Sequence, residues 1–149
     1  MTDTQKSANV TLVVRRLIRA KAAILFSAWT EPEQLMGWWG PANVSCPKAE
    51  VDLRVGGVYR LANLMPDGRT LWIVGEFLRI EPPRLLVYSW RLEPGEVVTE
   101  RVTVRFEPAG EATEVVVSHE QILDETKRDQ HERGWIGCLD GLAVFLGTE

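Results

Sequence analysis

The chain has 149 residues, of which 45% are apolar and 26% are charged, and its formal net charge is -4. This is the composition of an ordinary globular domain that can bury a core of its own. The acidic balance argues against a nucleic-acid-binding protein, because residues 15–21 form only a short basic cluster. No apolar run approaches the roughly 20 residues that span a bilayer. We therefore expect one domain over residues 1–149 and no membrane partner.

The first eight residues are polar, and they lack the basic and apolar regions of a secretory signal. We expect them to be a flexible start that precedes the folded domain. Two cysteines, Cys46 and Cys138, lie far apart in the sequence. Without an export signal they are predicted to be free thiols in a cytoplasmic protein.

The first forty residues predict one strand and two short helices. Residues 10–19 are dense in Val, Ile and Leu and favour a strand. Residues 21–29 are rich in alanine, with apolar pairs at spacing four, and favour a short helix. Thr30 and Glu33 form a capping box around Pro32, so a second helix is predicted from Glu31 to about Trp38.

From Cys46 to Leu123 the pattern changes to that of an antiparallel meander. Residues 101–106 alternate, with Val102, Val104 and Phe106 on one face, and His119 is placed inward at the end of a later strand. Turn signals separate the strands at hairpin spacing. These signals are Gly56-Gly57, Pro66-Asp67-Gly68, Pro82-Pro83, Pro94-Gly95 and Pro108-Ala109-Gly110.

The last segment returns to a helical period. An apolar stripe at spacings of four, three and four predicts one long helix, which Asp124 or Thr126 can cap. The stripe is Trp135, Leu139, Leu142 and Leu146. Three glycines interrupt this helix, each at a cost of about 1 kcal/mol relative to alanine, and close approach to the sheet is one reason to tolerate them. They are Gly134, Gly137 and Gly141.

The element order is therefore one strand, two short helices, six strands and a long helix. This order predicts an α+β fold in which a curved antiparallel sheet of six to seven strands wraps around the C-terminal helix. Side chains rarely fill such a concavity completely, so an apolar pocket between the sheet and the helix is expected.

The element order and several short motifs together resemble the START-like (SRPBCC) helix-grip superfamily. Within it, the chain is similar to the family named after the activator of heat-shock protein 90 ATPase, over about residues 10–147. The motifs are FSAWTEPEQL at residues 26–35, WWGP at 38–41, GGVY at 56–59, PDG at 66–68, Gly75, PPRL at 82–85 and Gly134-Trp135.

The resemblance implies the helix-grip fold and a hydrophobic ligand. It implies chaperone activation more weakly, because the eukaryotic co-chaperone has an additional N-terminal domain that these residues do not match. Some members of the superfamily are cyclases or dehydratases, and that chemistry needs few residues. We expect no cofactor.

The candidate ligand-binding residues are those that line the expected pocket. The sequence leaves open whether Trp38 and Trp39 form a lid or simply plug one end of the sheet. It also leaves open whether Glu76 faces the pocket, where it would be a polar anchor together with Asn63, or faces the solvent. The candidates are Trp39, Tyr59, Leu61, Asn63, Trp72, Glu76, Trp90, Phe106, His119, Trp135, Leu139 and Leu142.

The residues that could take part in such a reaction are few. A buried Glu76 would have a raised pKa and act as an acid or base, and Tyr88, His119 and Asn63 are the other candidates. His119 has no partner in the sequence pattern, so a structural role is the alternative. His131 lies in a charged stretch and is predicted to face solvent. No metal site is predicted, because the histidines and cysteines lack ligand spacing.

Three functions remain as hypotheses. The first is binding of a small hydrophobic molecule between sheet and helix, and the second is a cyclase or dehydratase that uses the same cavity. The third is a module that contacts a chaperone in the stress response, which requires an exposed patch on the convex face. Exposed sheet edges also favour a homodimer.

Overall fold

The computed structural model describes residues 9–41, 43–95 and 98–147. The expected flexible start at residues 1–8 lies outside them. The structure has three helices and seven strands in the described residues. The helices are α1 (Ala22–Thr30), α2 (Pro32–Trp38) and α3 (Glu125–Phe145). The strands are β1 (Val10–Ile18), β2 (Ala49–Val51), β3 (Val58–Leu64), β4 (Thr70–Glu81), β5 (Leu85–Glu93), β6 (Glu100–Ala109) and β7 (Ala112–Ile122).

The seven strands form one antiparallel order, β1-β7-β6-β5-β4-β3-β2. Strands β2 to β7 are a meander whose connections coincide with the five turn signals of the sequence. Strand β1 joins the far edge beside β7, and α3 packs against β1, β7 and α2. The predicted helix-grip architecture is thereby confirmed.

The alternation within β6 decides which side chains reach the core. Val102, Val104 and Phe106 are at most 1% exposed, whereas Arg101 and Arg105 on the other face are exposed. On this outer face Arg101 forms an ion pair with Glu120 of the neighbouring strand β7. The sheet therefore has one dry face and one wet face, as the sequence pattern predicts.

The predicted capping box does not form. Thr30 is the last residue of α1, and its hydroxyl donates to the carbonyl of Phe26 at 2.9 Å. Glu31 is the N-cap residue of α2 and makes no side-chain capping bond, while Pro32 occupies the first helical turn. Because α1 extends to Thr30, the hydroxyl of Thr30 hydrogen-bonds within the last turn of α1 and does not cap α2.

Helix α3 begins as predicted, because Asp124 Oδ1 accepts from the backbone N–H of Lys127 at 2.9 Å. Close approach to the sheet, the expected reason for its glycines, does not apply to Gly141 or Gly134. A Cβ at Gly141 would lie 3.1 Å from the carbonyl oxygen of Trp38, which belongs to α2 and not to the sheet. A Cβ at Gly134 would meet no atom within 4 Å.

Cys46 and Cys138 are both buried free thiols, as predicted. Burial raises the pKa of Cys138 to about 12, so the thiol stays protonated. Among the described residues, no helix is both long and apolar enough to cross a membrane.

Candidate ligand-binding cleft

Aromatic rings fill most of the space between the sheet and the helices. The ring of Trp29 lies 5.0 Å from that of Trp38, 5.6 Å from that of Phe106 and 6.1 Å from that of Trp135, measured between centroids. Tyr59 and Tyr88 are 5.2 Å apart in the same interior. Edge-to-face, tilted and stacked contacts of this kind stabilise a close-packed core.

The void left inside this aromatic core measures about 20 Å³. That volume accommodates about one water molecule. The expected pocket in the middle of the fold is therefore far too small for a ligand in this conformation. Its lining residues are Trp29, Leu35, Trp39, Val51, Tyr59, Leu61, Phe77, Tyr88 and Trp90.

A much larger space, which we call the cleft, lies beside this core. It measures about 480 Å³ and is bounded by the first half of α3, the loop after α2 and strands β3 to β5. Its lining is mostly apolar, with a few polar side chains. The lining residues are Trp39, Pro41, Val44, Asn63, Met65, Leu71, Ile73, Trp90, Leu92, Lys127, Gln130, His131, Gly134, Trp135 and Cys138.

Local structure explains how the aromatic wall of the cleft is held. Trp39 follows directly after α2, and its indole N–H donates to Oδ1 of Asn63 on β3 at 3.1 Å. Its ring lies 6.1 Å from that of Trp90 on β5 and 5.5 Å from that of Trp135 on α3. Three elements thus present their indole rings to one another and to the cleft.

A carboxylate–histidine cluster, formed by Glu100, His119 and His131, adjoins the cleft through His131. Glu100 Oε1 lies 2.7 Å from Nε2 of His119 and 2.9 Å from Nε2 of His131. The side chains of Glu100 and His119 are at most 1% exposed, whereas that of His131 is 14% exposed and borders the cleft.

Hydrogen bonding fixes the proton positions of this cluster. Trp135 donates its indole N–H to Nδ1 of His119 at 2.9 Å, so this Nδ1 is an acceptor and the proton of a neutral ring sits on Nε2. Burial alone would raise the pKa of Glu100. The hydrogen bonds from His119 and His131 outweigh burial and lower this pKa to about 2. The cluster therefore holds an ionised carboxylate inside the protein.

The same three residues place ligand-type atoms within 4.8 Å of one another, a grouping that sequence spacing did not predict. The two imidazole rings are stacked, however, with centroids 4.4 Å apart and planes inclined by 18°. The Nε2 atoms of both rings lie within hydrogen-bond distance of the same Oε1 of Glu100. Coordination of an ion by Nε2 of His119 would require a proton on its Nδ1, and the N–H of Trp135 opposes that tautomer.

The residues predicted to bind ligand separate into several groups. Trp39, Asn63, Trp90 and Trp135 line the cleft, and His119 lies behind it as a hydrogen-bond partner of Trp135. Tyr59 and Leu61 line the small void of the core and do not line the cleft. The other three inner candidates, Phe106, Leu139 and Leu142, are packed in the core and line neither space.

Trp72 was predicted on the inner wall and that placement is wrong, whereas the orientation of Glu76, which the sequence left open, is towards the solvent. Antiparallel pairing sets Tyr59 opposite Gly75 and Leu61 opposite Ile73, so the alternate positions of β4 point outward. The guanidinium of Arg60 lies 4.1 Å above the ring of Trp72 on that outer face. Glu76 is exposed there, so it cannot act as an acid or base in the cleft.

The two tyrosines of the interior are also held by hydrogen bonds. Tyr59 donates its hydroxyl to the carbonyl of Ser89 at 2.6 Å, and the hydroxyl of Tyr88 accepts from the indole of Trp29 at 3.2 Å. Burial raises the pKa of both phenols. Tyr88 is therefore a neutral packing residue rather than a base.

Sequence reasoning missed Glu100 and placed His131 on a solvated face. Both had a signal in the sequence. Extending the inward alternation of Val102 and Val104 by one step places Glu100 on the same face. His131 precedes Trp135 by four residues, so the two share a face of α3.

Comparisons with known proteins agree with this architecture. The family model of the activator of Hsp90 ATPase homolog 1-like proteins matches residues 19–147. A crystal structure of a protein from Chromobacterium violaceum is 26% identical, with a TM-score of 0.83, and the match covers 90% of this chain and 94% of that one. A comparison with curated proteins finds no match.

Two further solved structures are similar over nearly their full length. A protein of this family from Silicibacter pomeroyi has a TM-score of 0.84 at 22% identity, covering 93% of this chain and 98% of that one. A structure described as an Hsp90 activator from Plasmodium falciparum has a TM-score of 0.72 at 25% identity, covering 93% and 97%. The chain belongs to the family of activator of Hsp90 ATPase homolog 1-like proteins.

Proposed function

We propose that the protein binds a small, largely apolar molecule in the cleft. The observation that carries this proposal is the volume of the cleft, about 480 Å³, together with its apolar lining. Small-molecule sites typically measure about 300–1,000 Å³ and combine apolar walls with a few oriented polar groups. The three indole rings of Trp39, Trp90 and Trp135 contribute apolar surface to the wall of the cleft.

Gly134 supplies a way to close the cleft without disturbing its walls. It lines the cleft, and a Cβ at this position has no atom within 4 Å. A Gly134→Trp variant therefore extends an indole into the empty space. Ile136→Trp is the matched control, because Ile136 is 47% exposed elsewhere on α3.

The test is a titration with N-phenyl-1-naphthylamine, a neutral apolar fluorophore, monitored by its emission. We expect the wild type and Ile136→Trp to bind the probe with similar affinity, and Gly134→Trp to bind it at least tenfold more weakly. Equal affinity in all three proteins would contradict binding in the cleft. Thermal unfolding confirms that each variant is folded.

Family membership supports a second candidate, contact with a chaperone. One similar structure is described as an Hsp90 activator. The test is the ATPase rate of Hsp90 with and without a saturating amount of this protein. A clear stimulation supports the candidate, and an unchanged rate argues against it. Repeating the assay with Gly134→Trp separates this activity from ligand binding.

A further inference from the structure

Two indole rings separate the cleft from the small void of the core. Within the described part of the chain, Trp39 and Trp90 are the residues that line both spaces. Their rings lie 6.1 Å apart between centroids and are inclined by 56°. Both residues are buried, with 4% and 7% of their surface exposed. The two rings therefore form the boundary at which an apolar molecule in the cleft would meet the core.

Trp39 is held through both its backbone and its side chain. Its backbone N–H donates to the carbonyl of Leu35 at 2.9 Å, which is the bond that ends α2. Its indole N–H donates to Oδ1 of Asn63 on β3 at 3.1 Å. Its ring packs against those of Trp38 and Trp135, at 5.4 Å and 5.5 Å between centroids. Contacts from α2, β3 and α3 thus make this ring a fixed wall rather than a movable lid.

The two boundary residues differ in what else they support. The ring of Trp90 also lies 5.1 Å from that of His119, so its removal would disturb the carboxylate–histidine cluster. We infer that Trp39 is the specificity-determining residue of the cleft, because it stops an apolar ligand at the edge of the core and restricts the site to compact apolar molecules rather than long-chain lipids. This inference rests on the proposed ligand-binding function and names the size class of the ligand.

The space behind Trp39 explains why a longer ligand gains nothing there. The void of the core measures about 20 Å³, which accommodates about one water molecule. Moving the ring aside would break its bond to Asn63 and its packing against three other indole rings. A methylene that enters the cleft raises affinity by about fourfold, whereas one that stays in water adds nothing.

The test is the chain-length dependence of binding, measured with 1-alkanols from butanol to dodecanol as competitors of N-phenyl-1-naphthylamine. The affinity of each variant for the probe is measured first, so that displacement gives its affinity for each alkanol. In the wild type we expect affinity to rise about fourfold with each methylene and then to level off within the series. In Trp39→Ala it should level off about two or more carbons later, so that the longest alkanols bind at least about tenfold more tightly than to the wild type.

Three further variants show whether the boundary itself sets this chain-length limit. Phe77 lines the void of the core and does not line the cleft. Phe77→Ala therefore enlarges the void behind an intact Trp39 and should keep the wild-type limit. Trp72→Ala removes an indole from the outer face and should keep it too. Trp39→Leu retains an apolar side chain in the core and should shift the limit in the same direction by less, which provides the test if Trp39→Ala does not fold.

The outcomes separate this inference from the proposed function. A wild-type affinity that rises up to dodecanol without levelling off overturns the inference alone. An unchanged limit in the folded Trp39 variants, or an equal shift in Phe77→Ala, does the same. Failure of every alkanol to displace the probe, with the probe bound equally by Gly134→Trp, overturns the binding proposal and the inference with it.

Discussion

The void inside the aromatic core and the cleft are neighbouring spaces that have two lining residues in common. Trp39 and Trp90 line both, yet the void in the core is about 20 Å³ and the cleft is about 480 Å³. Helices α1 and α2 cover the core with large side chains such as Trp29 and Leu35. The cleft is covered by the first half of α3, where Gly134 has no side chain. The difference teaches that large side chains from α1 and α2 fill the space on one side of Trp39 and Trp90, whereas α3 leaves the space on the other side open at Gly134.

The largest contrast is expected between a truncation in the core and one in the cleft. Phe106 is 1% exposed, so Phe106→Ala should lower the free energy of unfolding by about 3–5 kcal/mol. Leu92 is only half-buried in the cleft wall, so Leu92→Ala should cost about 1 kcal/mol, because it removes less buried apolar surface.

Urea unfolding measures the loss of stability in both variants, and titration with the naphthylamine probe measures the affinity of each variant for the probe. Leu92→Ala should weaken probe binding severalfold, whereas Phe106→Ala should leave it nearly unchanged wherever the variant is folded. Similar costs for the two truncations would break the distinction between a packed core and an open cleft.

The buried carboxylate should make the protein sensitive to acid. The pKa of Glu100 in the folded state, about 2, lies below its ordinary value of 4.5, so its stabilisation is complete above about pH 4.5 and is lost as the pH falls towards 2. A depression of this size corresponds to about 3 kcal/mol.

Unfolding free energies measured from pH 7 down to pH 2 test this expectation. Glu100→Gln should be less stable at neutral pH and should lose less stability across the acid range. Glu114→Gln is the matched control, because Glu114 pairs with Arg15 on the solvated face at 3.6 Å and exposed pairs contribute little. Parallel acid profiles for the wild type and Glu100→Gln would contradict the assignment.

The last contrast is one of sign, between two glycines in the two regions. A Cβ at Gly75 would lie 2.0 Å from the backbone oxygen of Ser89 and 2.9 Å from the ring of Tyr59. Gly75→Ala should therefore destabilise the protein by about 1–3 kcal/mol through overpacking. Gly134→Ala should stabilise it by up to about 1 kcal/mol, since alanine favours the helix and meets no obstacle.

Thermal unfolding of both variants checks the sign of each effect. A loss of stability in Gly134→Ala would show that the position is crowded, and thus that the cleft is narrower there than the structure indicates. A neutral Gly75→Ala would show that β4 and β5 have room to move apart.

The strand and helix boundaries follow from local patterns. Turn signals, the alternation around Val104 and the stripe that begins at Trp135 predict elements within a few residues of their observed ends. The capping box failed because Thr30 satisfies a carbonyl of the preceding helix instead. Local patterns specify that a helix begins nearby but not which of two adjacent helix ends takes the side chain.

The inward and outward faces of β3 and β4 were harder to predict, because both faces of these strands are rich in large residues. Trp72 is as apolar as any core residue, but pairing with Ala62 places it on the outer face under Arg60. A shift of one position exchanges the two faces, and only the partner strand fixes the register.

The sequence by itself determined the architecture, because hydrophobic periodicity and turn residues act over short distances along the chain. The tertiary structure decided where the open space lies and which polar groups face it. Glu100, His119 and His131 come from β6, β7 and α3, and no spacing along the chain records that they meet. Their meeting depends on strand pairing and on the position of α3 across the sheet, which are properties of the folded chain alone.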